Sequence, residues 1–522
     1  MACEARRFDH WRRNEYRVLV MKTRRIGMML WIFFWICSLS ILFLPTRGSA
    51  QTKVGIRGTK FTINGEETYT VGSGFPAANQ SIEGTLLNVR AVQAIFDDAN
   101  YPHSGTRAHP YDSAGFAPVS FDYPDSAFSP ERNLKEFLTA LPSWRKCGVL
   151  AITVNPQGGG PTDGNFGVHT QPQNNSGFDA KGNLKPAYAK RLQKVIEEAD
   201  KLGMVVIVGY FYQGTEARID AAPQDANIVT AIRQASSFLL NLPHRNILIE
   251  VANEVHEAMY STHPLLQPDG IDQSVHLAQE AVHHEIPVSF SWIGDPPPRS
   301  SRGYQALRDA DFVMFHTNWL TPEAVHTRIQ AYRQAAGYDR AFLINEDEVS
   351  TFNLQAATQE HVGWGYYDQG LNNYHDGFQS VPVDWTIGTL TKWMFFGQVA
   401  RLTGSPEPAK PAGSDALLPS IRLIGLKDGD TIKPGARIEA VVEDREPRWP
   451  IRRVEFFLDG VPYSYVRLAP FYLGGQRGWD LADVPAGHHT LWVVAYDPRG
   501  ADFTEVCSLI EVQFTVTRPD RL

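Results

Sequence analysis

Residues 185–210 read KPAYAKRLQKVIEEADKLGMVVIVGY: a helix, one glycine, then a strand. Tyr188, Leu192, Val195, Ile196 and Ala199 recur at spacings of three and four, which gives the helix one apolar face. Gly203 separates it from the apolar run 204–210. Helices alternating with such runs are the order of a parallel sheet with helices outside it.

The same order repeats outward in both directions. Helical stretches at 133–146, 228–242, 275–284 and 322–336 precede the strands VLAITVN (149–155), NILIEVANE (246–254), PVSFSW (287–292) and AFLINE (341–346). DFVMFH (311–316) and a weaker WGYYDQG (364–370) add two strands, and a last helix fits 387–402. With an opening strand at TYTVGSG (68–74) the candidates suffice to close a (β/α)8 TIM barrel, an α/β fold, over residues 51–402. A doubly wound open sheet competes with it. However, no GxGxxG follows the first strand, and polar residues gather at the C-terminal strand ends, where barrels carry their sites.

Residues 403–415, TGSPEPAKPAGSD, have the composition of a linker. Over 416–522 the pattern changes to short strands, IRLIGL, RIEAVVED, RVEFFLDG, TLWVVAYD and VQFTVT, with turns at Asp459-Gly460 and Pro498-Arg499-Gly500. This predicts an all-β immunoglobulin-like sandwich, and in pattern the tail resembles the bacterial immunoglobulin-like modules appended to secreted enzymes. Trp449, Tyr472 and Trp479 are its candidate glycan contacts, unless they fill its core.

At the other end, Lys22, Arg24 and Arg25 precede an apolar run at 26–44, and Gly48-Ser49-Ala50 follows it. That order predicts a signal peptide within a leader of residues 1–50, cleaved after Ala50, with Met21 as an alternative start. The run's length also fits an uncleaved membrane anchor. Export implies a secreted, periplasmic or cell-surface protein. The chain has 522 residues with 49 basic and 57 acidic, net −8; without the leader it is −14, and no basic run offers a nucleic-acid surface. Cys147 and Cys507 are the cysteines left beyond the leader, so no disulfide framework is expected.

Two strand ends carry acids. In NILIEVANEV (246–255), Glu250 and Glu254 share one face of a strand, one deep and one at the rim. Glu250 reads as a salt-bridged interior glutamate, whereas Glu254, beside Asn253, suits acid/base work. In AFLINEDEV (341–349), Glu346 is the acid placed to face the barrel axis; Asp347 and Glu348 read as loop acids, with Glu348 a reserve nucleophile. Paired carboxylates facing one pocket are what glycoside hydrolysis needs.

IEVANE followed by LINE resembles clan A of the glycoside hydrolases, near the family 5 cellulases and mannanases, over residues 68–404. The resemblance implies Glu254 as acid/base and Glu346 as nucleophile, with no metal or organic cofactor. It also implies substrate contacts from Asn253, from His316 ending the sixth strand, and from Trp364 as a sugar platform. Arg90, or failing it Arg107, stands for the clan's arginine. Asn155 and Gln157 offer amides after the AITV strand, and Tyr210 ends the third. The run Tyr210-Phe211-Tyr212-Gln213 departs from the clan in lacking a histidine, and Glu346-Asp347-Glu348 replaces the usual sequence after strand seven. These departures also favour a second reading, a non-catalytic surface protein whose barrel binds glycans. A barrel enzyme of unrelated chemistry is a third. The sequence carries no phosphate loop after Gly158, no zinc-protease motif at His256-Glu257, because Tyr260 stands where a histidine is needed, and no GxSxG.

Overall fold

The computed structural model describes residues 51–97, 123–158, 176–255, 260–368, 374–375, 377–379, 381–411, 419–443, 451, 453–497 and 506–517. The leader, Arg107, Trp449, the His256-Glu257 pair and the Pro498 turn lie outside them. Three short antiparallel strands, β1 (Val54–Arg57), β2 (Lys60–Ile63) and β3 (Glu66–Glu67), come first. Val54 N donates to Arg245 O, and the Phe61 ring packs edge-on against Phe312, so this flap covers the end of the barrel where strands begin.

The parallel sheet consists of β4 (Leu87–Arg90), β5 (Ala151–Val154), β6 (Val205–Phe211), β7 (Ile247–Ala252), β8 (Val288–Ser289), β9 (Ser291–Ile293), β10 (Val313–His316), β11 (Phe342–Glu346) and β12 (Gly363–Tyr366). β8 and β9 are halves of one extended segment broken at Phe290; the first pairs with β7 and the second with β10. Because β12 pairs with β4, the ring closes as an eight-stranded TIM-like barrel.

The strand expected at TYTVGSG is not there. Tyr69 and Gly74 take left-handed backbone angles (φ 56° and 90°), which no strand accommodates, and the barrel opens instead at Leu87–Arg90.

Helices α1 (Pro130–Lys146), α2 (Pro186–Lys201), α3 (Ala226–Asn241), α4 (Ile271–Ala281), α5 (Arg302–Asp309), α6 (Pro322–Ala336), α7 (Thr351–Gln359) and α8 (Leu390–Thr403) flank the sheet. Their boundaries follow local chemistry. Ser129, Ser301, Thr321, Ser350 and Thr389 cap N-termini through side-chain oxygens, and Pro186 and Pro322 stand in first turns, where no N–H is needed. Tyr188, Leu192, Val195, Ile196 and Ala199 of α2 are all buried, as their spacing requires.

The C-terminal region forms two further sheets. One is β13 (Ser420–Ile424), β15 (Ile438–Glu443) and β18 (Phe471–Leu473); the other is β14 (Asp430–Ile432), β20 (Val506–Val516), β19 (Gly487–Asp497), β16 (Arg453–Leu458) and β17 (Val461–Val466). Pairing is antiparallel except for β14 with β20. Asp459 and Gly460, both at positive φ, make the expected tight turn. Trp479 fills the core of this sandwich at 1% exposure, so it presents no face to a glycan; its indole donates to Tyr463.

The 403–411 stretch is not a free tether. Gly404 caps α8 in the left-handed conformation, Trp393 Nε1 donates to Pro408 O, and Lys410 lies over the Trp393 ring. Sandwich and barrel share one core, in which Phe457, Val494, Tyr496 and Cys507 are buried with barrel residues.

Candidate active site

The C-terminal ends of the parallel strands bring a connected set of polar side chains together. Arg90, the last residue of β4, is fully buried. Its Nη2 donates to Asn253 Oδ1 (2.9 Å), Asn253 Nδ2 donates to Gln213 Oε1 (2.9 Å), and Gln213 Nε2 donates to Glu254 Oε2 (2.5 Å). His316 Nδ1 lies 2.8 Å from Glu254 Oε1 and 3.8 Å from Glu346 Oε2. Arg90 Nε closes the circuit 2.8 Å from Glu346 Oε2, as an ion pair rather than an aligned hydrogen bond. Asn318 Nδ2 holds the other oxygen, Glu346 Oε1, at 3.1 Å. Glu250 sits deeper, 3.8 Å from Arg90 Nη1, as a buried partner of that guanidinium.

Backbone conformation fixes Glu254. It leaves β7 at φ 53°, a left-handed angle that a side chain with a Cβ adopts at a cost of about 1–2 kcal/mol. Its N–H donates to Ser291 Oγ, and Tyr260 Oη donates to the preceding carbonyl, Asn253 O, at 2.6 Å.

One oxygen of Glu254, one of Glu346 and a ring nitrogen of His316 lie within 4.8 Å of one another. Those atoms have the spacing of a cation site. Here, however, the positive charge beside Glu346 is a guanidinium that burial opposes and the charges of Glu346 and Glu250 more than restore, so it stays ionised.

Burial raises the Glu346 carboxyl above the ordinary carboxylate range, with Glu254 adding repulsion while Arg90 and His316 pull it down. Burial likewise lowers His316, which favours the neutral ring. Burial pushes the phenols of Tyr212 and Tyr367 well up; Glu346 and Glu254 add to it at Tyr212, and Tyr212 followed by the same two acids adds to it at Tyr367, so both stay protonated.

Asn253, Glu254, His316, Glu346 and Arg90 therefore stand together. Several other expected contacts do not. Tyr210 points outward, its hydroxyl 3.1 Å from Ser236 of α3, and Tyr212 occupies the site. Trp364 is fully buried, packs on Phe395 of α8 and donates its indole N–H to Asp347 Oδ2 at 2.7 Å, so core packing accounts for it and it offers no platform. Tyr366 stacks on the same Phe395, and alternation turns Tyr367 toward the axis. Gln157 is enclosed, accepting from Tyr212 N and donating to Ser176. Asn155 is buried over Gly209, where a Cβ would fall 2.4 Å from its Oδ1. Glu348 is no reserve nucleophile: it faces Arg453 of the sandwich at 3.4 Å. Gln213, Asn318, Tyr212 and Tyr367 were missed, although they stand just past the ends of β6, β10 and β12, three strands whose apolar runs are visible in the sequence.

No protein-family model matches this chain, and no curated protein does. Solved structures do resemble it. The endo-beta-1,4-mannanase from Thermotoga petrophila shares 13% identity over 83% of this chain and 98% of that one, with TM-score 0.38. A glycoside hydrolase family 5 enzyme from Prevotella bryantii, in complex with a xyloglucan tetradecasaccharide, shares 12% over 63% and 97%, with TM-score 0.37. Fibronectin(III)-like modules of Clostridium thermocellum share 24% over 19% and 97%, with TM-score 0.15.

Proposed function

We propose that the chain is an exported retaining glycoside hydrolase of β-linked glycans, with Glu254 as acid/base and Glu346 as nucleophile. The observation that carries this reading is the carboxylate pair at the ends of β7 and β11, with oxygens within 4.8 Å. Retaining enzymes hold their carboxyl groups about 5–5.5 Å apart, and inverting ones hold them about 6.5–9.5 Å apart. Glu346 Oε2 attacks the anomeric carbon as Glu254 gives its proton to the departing oxygen. A water deprotonated by Glu254 then attacks the same carbon and releases the Glu346 carboxylate. Asn318 holds Oε1 of Glu346 by a hydrogen bond, whereas Oε2 lies beside the charge-balancing Arg90 without an aligned hydrogen bond and is taken as the attacking atom. Glu254, gripped by Gln213 and His316, is aimed across the same space. The leader as a cleaved signal, the segment 403–415 as the linker between the two domains and the sandwich as an immunoglobulin-like module belong to the same proposal.

Assay on a panel of β-linked polysaccharides and aryl glycosides tests it. Turnover is expected, and Glu254→Gln or Glu346→Gln should reduce it by about 10²–10⁴-fold or more. Turnover indifferent to both substitutions removes the assignment. Glycan binding without turnover transfers the protein to the non-catalytic reading.

A further inference from the structure

The segment Glu346–Ser350 leaves β11 and runs into α7, and the second half of it is gripped from outside the barrel. Glu346 meets Arg90 and Asn318, and Asp347 accepts from Trp364 and Asn353. Glu348 instead faces Arg453, which lies on β16 of the sandwich, at 3.4 Å, and Ser350 Oγ donates to Glu455 Oε1 of the same strand at 2.7 Å. Arg453 and Glu455 are two residues apart, so one face of β16 presents both; Arg453 Nε lies 3.0 Å from Glu455 Oε1. Burial is deep, with side-chain exposures of 6% for Arg453, 0% for Glu455 and 16% for Glu348. The Arg453 guanidinium also lies 4.0 Å over the Tyr496 ring, which fixes its plane. Asn353 Nδ2 contacts Glu348 Oε1, Asp347 Oδ1 and Leu320 O, so the loop carrying Asn318 is tied into the same junction.

We propose that Arg453 of the sandwich is a positioning residue for Glu346, acting through Glu348 and Asn353 on the loops that hold the Glu346 carboxylate. The proposal rests on the hydrolase reading above. A displacement of about 1 Å in a reacting group lowers rates by about a hundredfold, and a loop anchored at a buried ion pair resists such displacement. The sandwich is thereby part of the catalytic apparatus, not a spacer.

The test uses the full chain with Arg453→Met, Arg453→Lys, Glu348→Gln and, as a control, Arg401→Met. Arg401 holds the same domain junction through Gly460 O and the Trp492 ring, away from the loop. Arg453→Met and Glu348→Gln are expected to lower kcat about tenfold to a hundredfold with KM nearly unchanged. Arg453→Lys should recover part of the loss, and Arg401→Met should leave kcat intact. Amide hydrogen exchange of residues 346–350 is read in parallel and should speed up in Arg453→Met alone of the two arginine-to-methionine variants. Unchanged exchange in that segment overturns the proposal whether or not a substrate is turned over. So does a kcat loss that Arg401→Met reproduces. Absence of turnover in the parent with faster exchange in Arg453→Met instead faults the hydrolase reading and leaves the positioning role standing.

Discussion

Arg90 is the residue on which the charge balance of the site turns. It is the charge closest to Glu346 Oε2 among the described residues, and it is enclosed with Glu250 and Asn253. Arg90→Met leaves buried carboxylates without their cation, which is expected to cost about 3–5 kcal/mol, measured by denaturant unfolding. It has a second signature. Glu346 must be ionised to attack, and burial already raises its pKa, so kcat/KM should fall on acidification at a pH above the ordinary carboxylate value. Removing Arg90 takes away a lowering influence, so this acid limb should move to still higher pH; a limb that stays put contradicts the assigned role. Glu216, in the turn after β6, offers a pH test without activity. Burial pushes its carboxyl up to about 7 from 4.5, against the pull of its own and neighbouring backbone N–H groups. The folded state then holds this proton more tightly than the unfolded chain. Its penalty is absent below pH 4.5, grows as pH rises to 7 and reaches about 3 kcal/mol above that. Glu216→Gln should raise the melting temperature at pH 8 and leave it nearly unchanged at pH 4.

At the scale of elements, β12 is the least tolerant neighbour of the site. A Cβ on Gly365 would fall 2.1 Å from Asn345 O, the carbonyl next to Glu346. Gly365→Ala must push β11 and β12 apart, and we expect a loss of about 1–3 kcal/mol together with reduced turnover, read by thermal melts and kcat. Strands were legible where the apolar run was long and followed a helix, as at Val205–Phe211. The opening strand was not, because Leu87–Arg90 is four residues long and only a three-residue 3-10 helix, Gln80–Ile82, precedes it among the described residues, while the β-branched TYTV mimics a strand and folds as a turn. The acids were legible because a carboxylate ending an apolar run stands out. Gln213 and Asn318 were not, since amides in loops are common and only the fold shows what they face. Trp364 went astray for a geometric reason: successive side chains of a strand point to opposite faces, and a run of four residues does not reveal which is which.

For the whole molecule, barrel and sandwich are one body. Phe352 packs on Phe457 and Tyr465, Trp393 on Trp492, and Thr391 on Cys507, all across the junction. A single calorimetric transition is expected, and a chain ending at residue 411 should expose this apolar surface and lose solubility or melt well below the parent; two resolved transitions would contradict the shared core. The closure of the barrel through β4 has a consequence in time. Arg90 lies on the first strand and Glu346 on the seventh, so a ribosome making about 5–20 residues per second delivers the guanidinium roughly 10–50 s before the carboxylate it neutralises. During that interval the nascent chain carries a cation that belongs in an interior not yet built. The first strand must therefore wait, unsealed, until the seventh and eighth have been made, and the site comes into being only when they close the ring.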